Sequence, residues 1–289
     1  MGTGVSMAFY YDTLISVDTC LQQAPMANWS FIDCRFDLTD KTWGEATYRE
    51  GHIPGAYYAH LEDDLSAPQT ADSGRHPLPD WQAFADRMGA WGVHRDTQVV
   101  VYDQDGGAFA ARLWWLLRSV GHNRAAVLDG GWTAWQSAGG AESKDLPAPR
   151  LQPVELSPGS GWVTTVDVEK NLHSGEFVLI DARSHERFIG RQEPIDPVAG
   201  HIPGARNFPF EQNLDAHGVF HTPAALREAW LSCLRGTPPA SVVHMCGSGV
   251  TACHNLLAME LAGLHGSRLY AGSWSEWIRG DRSIATGKD

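Results

Sequence analysis

A cysteine followed by small residues, Cys246-Gly247-Ser248-Gly249-Val250-Thr251, stands between a β-prone apolar run at 241–245 and a segment of near-helical apolar spacing at 252–264. This order puts a thiol where a strand ends and a tight turn leads into a helix. There the backbone N–H groups of residues 247–251 can converge on the sulfur, and the helix N-terminus adds partial positive charge. Such a setting favours a thiolate and stabilises whatever anion the sulfur carries. The chemistry expected is nucleophilic attack through sulfur with a covalent intermediate. Taken alone, the loop also admits a buried structural cysteine before an ordinary glycine turn.

Composition narrows the setting. A chain of 289 residues, 43% hydrophobic and 19% charged, reads as one large or two ordinary globular domains. No apolar stretch approaches the roughly 20 residues of a membrane span. The formal net charge of −12 and the lack of a basic stripe argue against nucleic acid as a partner. That charge also means any anion site must be local. The five cysteines (Cys20, Cys34, Cys233, Cys246 and Cys253) form neither a CxxC pair nor a disulfide framework, which suits a reducing, cytoplasmic compartment. Met1-Gly2 with Ser6 matches a short acylation pattern, read as accidental, with Met7 an alternative start. The twelve tryptophans are assigned to core and inter-domain packing.

The elements that must position the loop come in two sets. Phe31-Ile32-Asp33-Cys34-Arg35 recurs as Leu179-Ile180-Asp181-Ala182-Arg183, and Gly51-His52-Ile53-Pro54-Gly55-Ala56 as Gly200-His201-Ile202-Pro203-Gly204-Ala205. Asp129-Gly130-Gly131-Trp132 echoes Ala271-Gly272-Ser273-Trp274. Three echoes in one order, displaced by roughly 150 residues, give two homologous domains, too long a period for a solenoid. The expected boundaries are 1–145, a Pro/Gly-rich linker at 146–161, and 162–289. Strands are expected near 30–33, 57–58, 98–102 and 126–128, then near 177–181, 206–208, 241–245 and 268–270. Helices are expected near 79–91, 107–120 and 132–138, then near 164–173, 223–235, 251–264 and 274–279. This alternation predicts an α/β fold with a mainly parallel sheet flanked by helices in each domain, and chemistry at strand C-terminal ends. Opposite His244-Met245-Cys246-Gly247-Ser248-Gly249 the first half reads Tyr102-Asp103-Gln104-Asp105-Gly106-Gly107, without cysteine. One half therefore carries the chemistry, and the other is structural or a wall of the cleft.

Together, the paired Gly-His-Ile-Pro-Gly-Ala segments, the Cys246 loop and Gly272-Ser273-Trp274-Ser275-Glu276-Trp277 resemble the tandem-domain rhodanese sulfurtransferases over nearly the whole chain. The resemblance implies two rhodanese-like domains, the N-terminal one inactive and the C-terminal one catalytic. It implies that Cys246 takes sulfur from a small donor as a persulfide and passes it to a thiophilic acceptor, with no metal or cofactor. Gly247, Ser248, Gly249, Val250 and Thr251 complete the catalytic loop. Their neutrality looks like that of 3-mercaptopyruvate enzymes, whereas thiosulfate users carry basic residues there. By the same resemblance, Ser248 polarises the keto acid or assists proton transfer, and Arg187 holds the carboxylate. Glu62 and His76 stand where polar residues flank the cysteine. One departure matters: such enzymes usually carry a second arginine shortly before Gly-His-Ile-Pro-Gly, and residues 193–199 hold none. Arg191 is the nearest substitute, at the wrong spacing, so thiosulfate stays open as the donor. Acceptors open to the chain are cyanide, a small thiol, thioredoxin or a sulfur-relay protein.

Several residues carry simpler readings. Arg187 could be a surface ion-pair partner. Asp33, Arg35, Asp181 and Arg183 recur in both halves and are read as structural, as are His52 and His201. Cys34 and Cys253 are read as core, and Thr251 as bonding within its own loop. A Cys-x5-Arg phosphatase would need an arginine where Ala252 stands. A scaffold protein would have lost the cysteine from both halves.

Overall fold

The computed structural model describes residues 10–23, 28–150 and 152–287; the acylation pattern at 1–7 lies outside them. The first half runs β1 (Leu14–Ile15), α1 (Val17–Gln23), β2 (Trp29–Asp33), α2 (Trp43–Glu50), β3 (Tyr57–Tyr58), α3 (Trp81–Ala90), β4 (Gln98–Tyr102), α4 (Ala110–Ser119), β5 (Ala125–Leu128) and α5 (Gly131–Ser137). The second runs β6 (Trp162–Val163), α6 (Thr165–Ser174), β7 (Val178–Asp181), α7 (His185–Phe188), β8 (Arg206–Asn207), α8 (Pro223–Leu234), β9 (Val242–Met245), α9 (Ala252–Leu261), β10 (Arg268–Tyr270) and α10 (Ser273–Trp277). Each half holds one five-stranded sheet, ordered β1-β5-β4-β2-β3 and β6-β10-β9-β7-β8. All of their described pairings are parallel. The two orders are the same once the strands are numbered within each half, so the sequence repeat is a repeat of topology.

The central strands are apolar without alternation because helices cover both faces. Every residue of β4 (QVVVY) and of β9 (VVHM) is buried. The edge strands β1 and β6 have two residues each and leave no periodic signal in the sequence. Helix α7 has only four residues, too short for a 3.6-residue pattern to show.

The halves share a core. One apolar cluster joins Leu113, Trp114 and Leu117 of α4 to Leu257, Ala258 and Met259 of α9. Burying each large side chain there stabilises by about 1.5–3 kcal/mol. Trp162 of β6 packs against Trp81 and Trp115 of the first half. Polar contacts also cross: His254 Nε2 lies 2.8 Å from the Gly106 carbonyl, and the Phe220 N–H donates to Asp129. The C-terminal ends of β4 and β9 thus meet at an interface that fixes one half against the other.

Candidate active site

The loop after β9 carries Cys246, whose side chain is 2% exposed at the floor of a cavity of about 180 Å³. The Gly249 N–H donates to Cys246 Sγ at 3.2 Å; of the N–H groups expected to converge, this one reaches the sulfur. Gly249 adopts φ +77°, and a Cβ there would collide with the Ala271 carbonyl, so the loop requires glycine at this point. The backbone of Cys246 is pinned by its neighbours. Its N–H donates to Ser273 Oγ (3.1 Å), and its carbonyl accepts from the Trp274 N–H (3.0 Å). Ser273 sits at φ +54°, unusual for a residue with a side chain, and donates in turn to the Tyr270 carbonyl.

Three of the polar residues expected at the site form a chain. Ser248 Oγ lies 2.7 Å from His76 Nδ1, and His76 Nε2 lies 3.8 Å from Glu62 Oε1. The second distance is electrostatic contact rather than a hydrogen bond. Burial pushes the His76 pKa down to about 3, and the cations Arg112, Arg75 and Lys41 push the same way. The imidazole is therefore neutral at physiological pH, able to relay a proton to or from Ser248. Thr251, the N-cap of α9, lines the cavity and makes no side-chain capping bond.

Arg187 makes ion pairs, as its simpler reading expected, but with buried carboxylates rather than at the surface. Glu193 accepts from Nε and Nη2 at 2.7–3.1 Å, and Asp196 accepts from Nη2 at 3.3 Å. The same guanidinium faces Gly247: a Cβ there would stand 3.5 and 3.7 Å from its two terminal nitrogens. The Glu193 pKa is held down by Arg187 and by backbone N–H groups, against its burial. Arg191 does not substitute for the missing arginine. It is 69% exposed and pairs with Glu186 on the outside, because its place just after α7 turns it away from the loop.

The structure adds residues that spacing could not reveal. Arg75 joins the cavity wall from the first half, its guanidinium paired with Asp196. Arg112 on α4 is fully buried beneath the loop, donating to the carbonyl of Gly249 (3.1 Å) and to those of Leu65, His76 and Pro77. No carboxylate pairs with it among the described residues. Arg183 keeps the structural role read from the repeat and gains another. It forks onto Asp181, donates to the Gly200 carbonyl and lies over Trp274, as Arg35 does with Asp33, Gly51 and Trp132. It also reaches Glu193, which ties it to the cavity. His52 and His201 bond backbone carbonyls and stack on Tyr48 and Phe188. Cys253 and Cys34 are buried, and burial drives both thiol pKa values up, that of Cys253 to about 12.

One pairing between the halves is corrected. Tyr102 in β4 and Met245 in β9 occupy equivalent registers, accepting from the N–H groups of Cys34 and Ala182. Asp103 therefore stands opposite Cys246, where the repeat aligned on sequence places Gln104. The Trp132 N–H bonds the Asp103 carbonyl as the Trp274 N–H bonds that of Cys246.

Comparison with known proteins agrees with this geometry. Residues 16–138 and 164–279 each match the rhodanese-like domain. The chain is 48% identical over 260 residues to a Pseudomonas aeruginosa protein named "Probable 3-mercaptopyruvate sulfurtransferase", covering 89% of this chain and 92% of the relative. It is 35% identical over 239 residues to the thiosulfate sulfurtransferase of Bos taurus, covering 80% and 78%. Among solved structures, a 3-mercaptopyruvate sulfurtransferase from Leishmania major superposes with a TM-score of 0.82 at 30% identity, covering 92% of this chain and 74% of that one. No helix among the described residues is long and apolar enough to cross a membrane.

Proposed function

The chain belongs to the tandem rhodanese sulfurtransferases, and from that premise we propose that it moves sulfur from 3-mercaptopyruvate to a thiophilic acceptor through a persulfide on Cys246. The observation that carries this reading is the convergence on one small cavity of Cys246, the Ser248–His76 contact and the Arg187 guanidinium. Arg187 holds the donor's carboxylate. The Cys246 thiolate attacks the donor's sulfur; a new S–S bond forms as the C–S bond breaks, and the electron pair leaves with the three-carbon fragment as the enolate of pyruvate. The donor's thiol proton passes by way of Ser248, with His76 as its relay, to the enolate carbon. Pyruvate departs and Cys246 holds the outer sulfur as a persulfide anion. An acceptor thiolate then attacks that outer sulfur, the S–S bond to Cys246 breaks, and the thiolate is restored. The Gly249 N–H stabilises the resting Cys246 thiolate.

Charge favours a monoanionic donor. Arg75, Arg183 and Arg187 stand against Asp181, Glu193 and Asp196, so the ionic cluster beside the cavity is balanced. A dianion such as thiosulfate would need more positive charge than Arg112, beneath the loop and without a carboxylate partner among the described residues, adds to this balanced cluster. We assign the relay to Glu62, His76 and Ser248, the catalytic half to the C-terminal domain, and the inactive half to the N-terminal one. The five free thiols suit a reducing, cytoplasmic setting, and a small thiol or thioredoxin suits it as acceptor.

The test is kcat/KM for 3-mercaptopyruvate and thiosulfate side by side, with a thiol acceptor and with cyanide, in the wild type and in Cys246→Ser. A strong preference for mercaptopyruvate and no turnover by the variant are expected, with one sulfur atom gained at Cys246 in the wild type. Substantial turnover by Cys246→Ser would sink the covalent route. A preference for thiosulfate would return the donor to the alternative reading.

A further inference from the structure

We propose that Arg75 is a donor-binding, specificity-determining residue: the N-terminal domain supplies the second guanidinium of an anion clamp assembled across the domain interface. The inference rests on the sulfur-transfer reading of Cys246 and deepens it.

Arg75 belongs to the stretch between β3 and α3, which contains no helix or strand. The second half holds this stretch residue by residue. The Gly74 N–H faces Glu276 at 3.4 Å, the Arg75 N–H donates to Ser275 Oγ at 3.0 Å, and His76 meets Ser248 at 2.7 Å. Ser275 and Glu276 lie on α10, the helix whose first residues pin the Cys246 backbone. The backbone of Arg75 is thus registered to the reacting sulfur by contacts on both sides of it.

That registration aims the side chain. Nη1 pairs with Asp196 Oδ1, while Arg187 Nη2 donates to the other oxygen of the same carboxylate. Asp196 therefore brackets two guanidinium groups, one from each domain. Both turn their remaining edges to the loop: a Cβ on Gly247 would stand 2.8 Å from Arg75 Nη2 and 3.7 Å from Arg187 Nη1. Neither of those two nitrogens makes a hydrogen bond among the described residues. Arg75 Nε is buried without a partner, a cost that a surface ion pair would not carry. Unused donors from two guanidinium groups beside Cys246 suit a ligand with two adjacent planar acceptors, such as a carboxylate next to a keto oxygen. The absence of any arginine in residues 193–199 is then answered from the opposite domain.

The competing account is an ion pair that only fastens the domains, and kinetics separates the two. KM and kcat for 3-mercaptopyruvate would be measured in Arg75→Met, Arg75→Lys and Asp196→Asn. The affinity of the unreactive keto acid pyruvate would be measured by calorimetry, with each substitution placed in a Cys246→Ser background. Arg75→Met should raise KM and the pyruvate Kd together by about 10- to 100-fold, the scale of a charge-assisted hydrogen bond, with kcat within about twofold. Arg75→Lys keeps the charge opposite Asp196 but loses the fork, and should raise both severalfold. Asp196→Asn leaves both guanidiniums in place but loosens their common anchor, and should raise KM and the pyruvate Kd by much less than Arg75→Met does. The proposal is overturned if pyruvate affinity is untouched in both Arg75 variants, or if Asp196→Asn raises KM as much as Arg75→Met does. A wild-type protein that gains no sulfur at Cys246 would overturn the sulfur-transfer reading and this inference with it. Normal loading with unaltered pyruvate binding in the Arg75 variants would overturn this inference alone.

Discussion

At the ends of β4 and β9 the chain leaves the sheet through a glycine-containing turn into a helix, one residue longer after β4, and fills the two turns differently. After β4 the side chain is Asp103, whose carboxylate accepts the N–H groups of Gly107, Phe109 and Ala110 at 2.8–3.0 Å. After β9 it is Cys246, whose sulfur, among the described residues, accepts one N–H, that of Gly249, at 3.2 Å. Burial raises the Asp103 pKa while those three N–H groups pull it down. A loop that aims its donors inward will hold an anion, and the first domain holds one of its own that cannot leave. On the function proposed above, the second domain presents instead an atom that can gain and lose a sulfur. The difference between wall and catalyst thus lies in what the cradle holds, while sheet order and the Asp-x-Arg brace stay the same.

The comparison breaks most sharply if the contents are exchanged. Cys246→Asp places the first loop's anion in the second and should abolish sulfur transfer, by more than about 10³-fold in kcat/KM, with the fold retained by circular dichroism. Asp103→Cys should gain no activity, because the histidine that faces that loop, His254, is tied to the Gly106 carbonyl, and no arginine side chain bonds the loop among the described residues. Activity in the second variant would show that the cradle alone makes the catalyst, without help from the side chains that surround Cys246.

A smaller effect tests how far the first domain is only a wall. Arg112 leaves α4, crosses the interface and holds the Gly249 carbonyl of the catalytic loop together with three carbonyls of its own half. A buried guanidinium is costly, and carbonyl dipoles rather than a carboxylate offset that cost at this position. Arg112→Met should lower stability by about 2–4 kcal/mol in denaturant titrations, because several buried carbonyls lose their donor at once. Turnover should fall as well, since Gly249 also carries the N–H that meets the sulfur. Greater stability in this variant would mean that the buried charge outweighs its hydrogen bonds.

What the sequence made legible follows from locality. The Cys246 loop, the repeated Asp-x-Arg and the Gly-His-Ile-Pro-Gly-Ala segments each act through neighbours in the chain, and their spacing is their mechanism. Arg75 and Asp196 are 121 residues apart, and Arg112 and Gly249 are 137 apart. No periodicity links such pairs, and the docking of one half on the other brings them together. His76 and Glu62 are reached by resemblance, for the same reason. The one-residue slip between Asp103 and Gln104 has a different origin. Both sequences offer a polar residue after an apolar run, and only the paired strand ends at Tyr102 and Met245 fix the register. Trp132 and Trp274, already matched in the repeat, carry the signal, since their N–H groups bond the two equivalent carbonyls.

The same equivalence sets the subtlest test. The residue before Trp132 is Gly131 at φ +56°, and the residue before Trp274 is Ser273 at φ +54°. The first domain uses the residue for which this conformation costs nothing, while the second accepts about 1–3 kcal/mol of strain to place a hydroxyl under the Cys246 N–H. Ser273→Gly copies the first domain into the second. Relief of strain opposes the loss of two buried hydrogen bonds, each worth about 0.5–1.5 kcal/mol, so stability should change by less than about 1 kcal/mol. Ser273→Ala loses the bonds and keeps the strain, and should be the less stable of the two. Turnover should fall severalfold in both, because each frees the backbone that aims the sulfur. If Ser273→Gly turns over like the wild type, the strained serine does not position Cys246, and the loop is held by its glycines and by Trp274 alone.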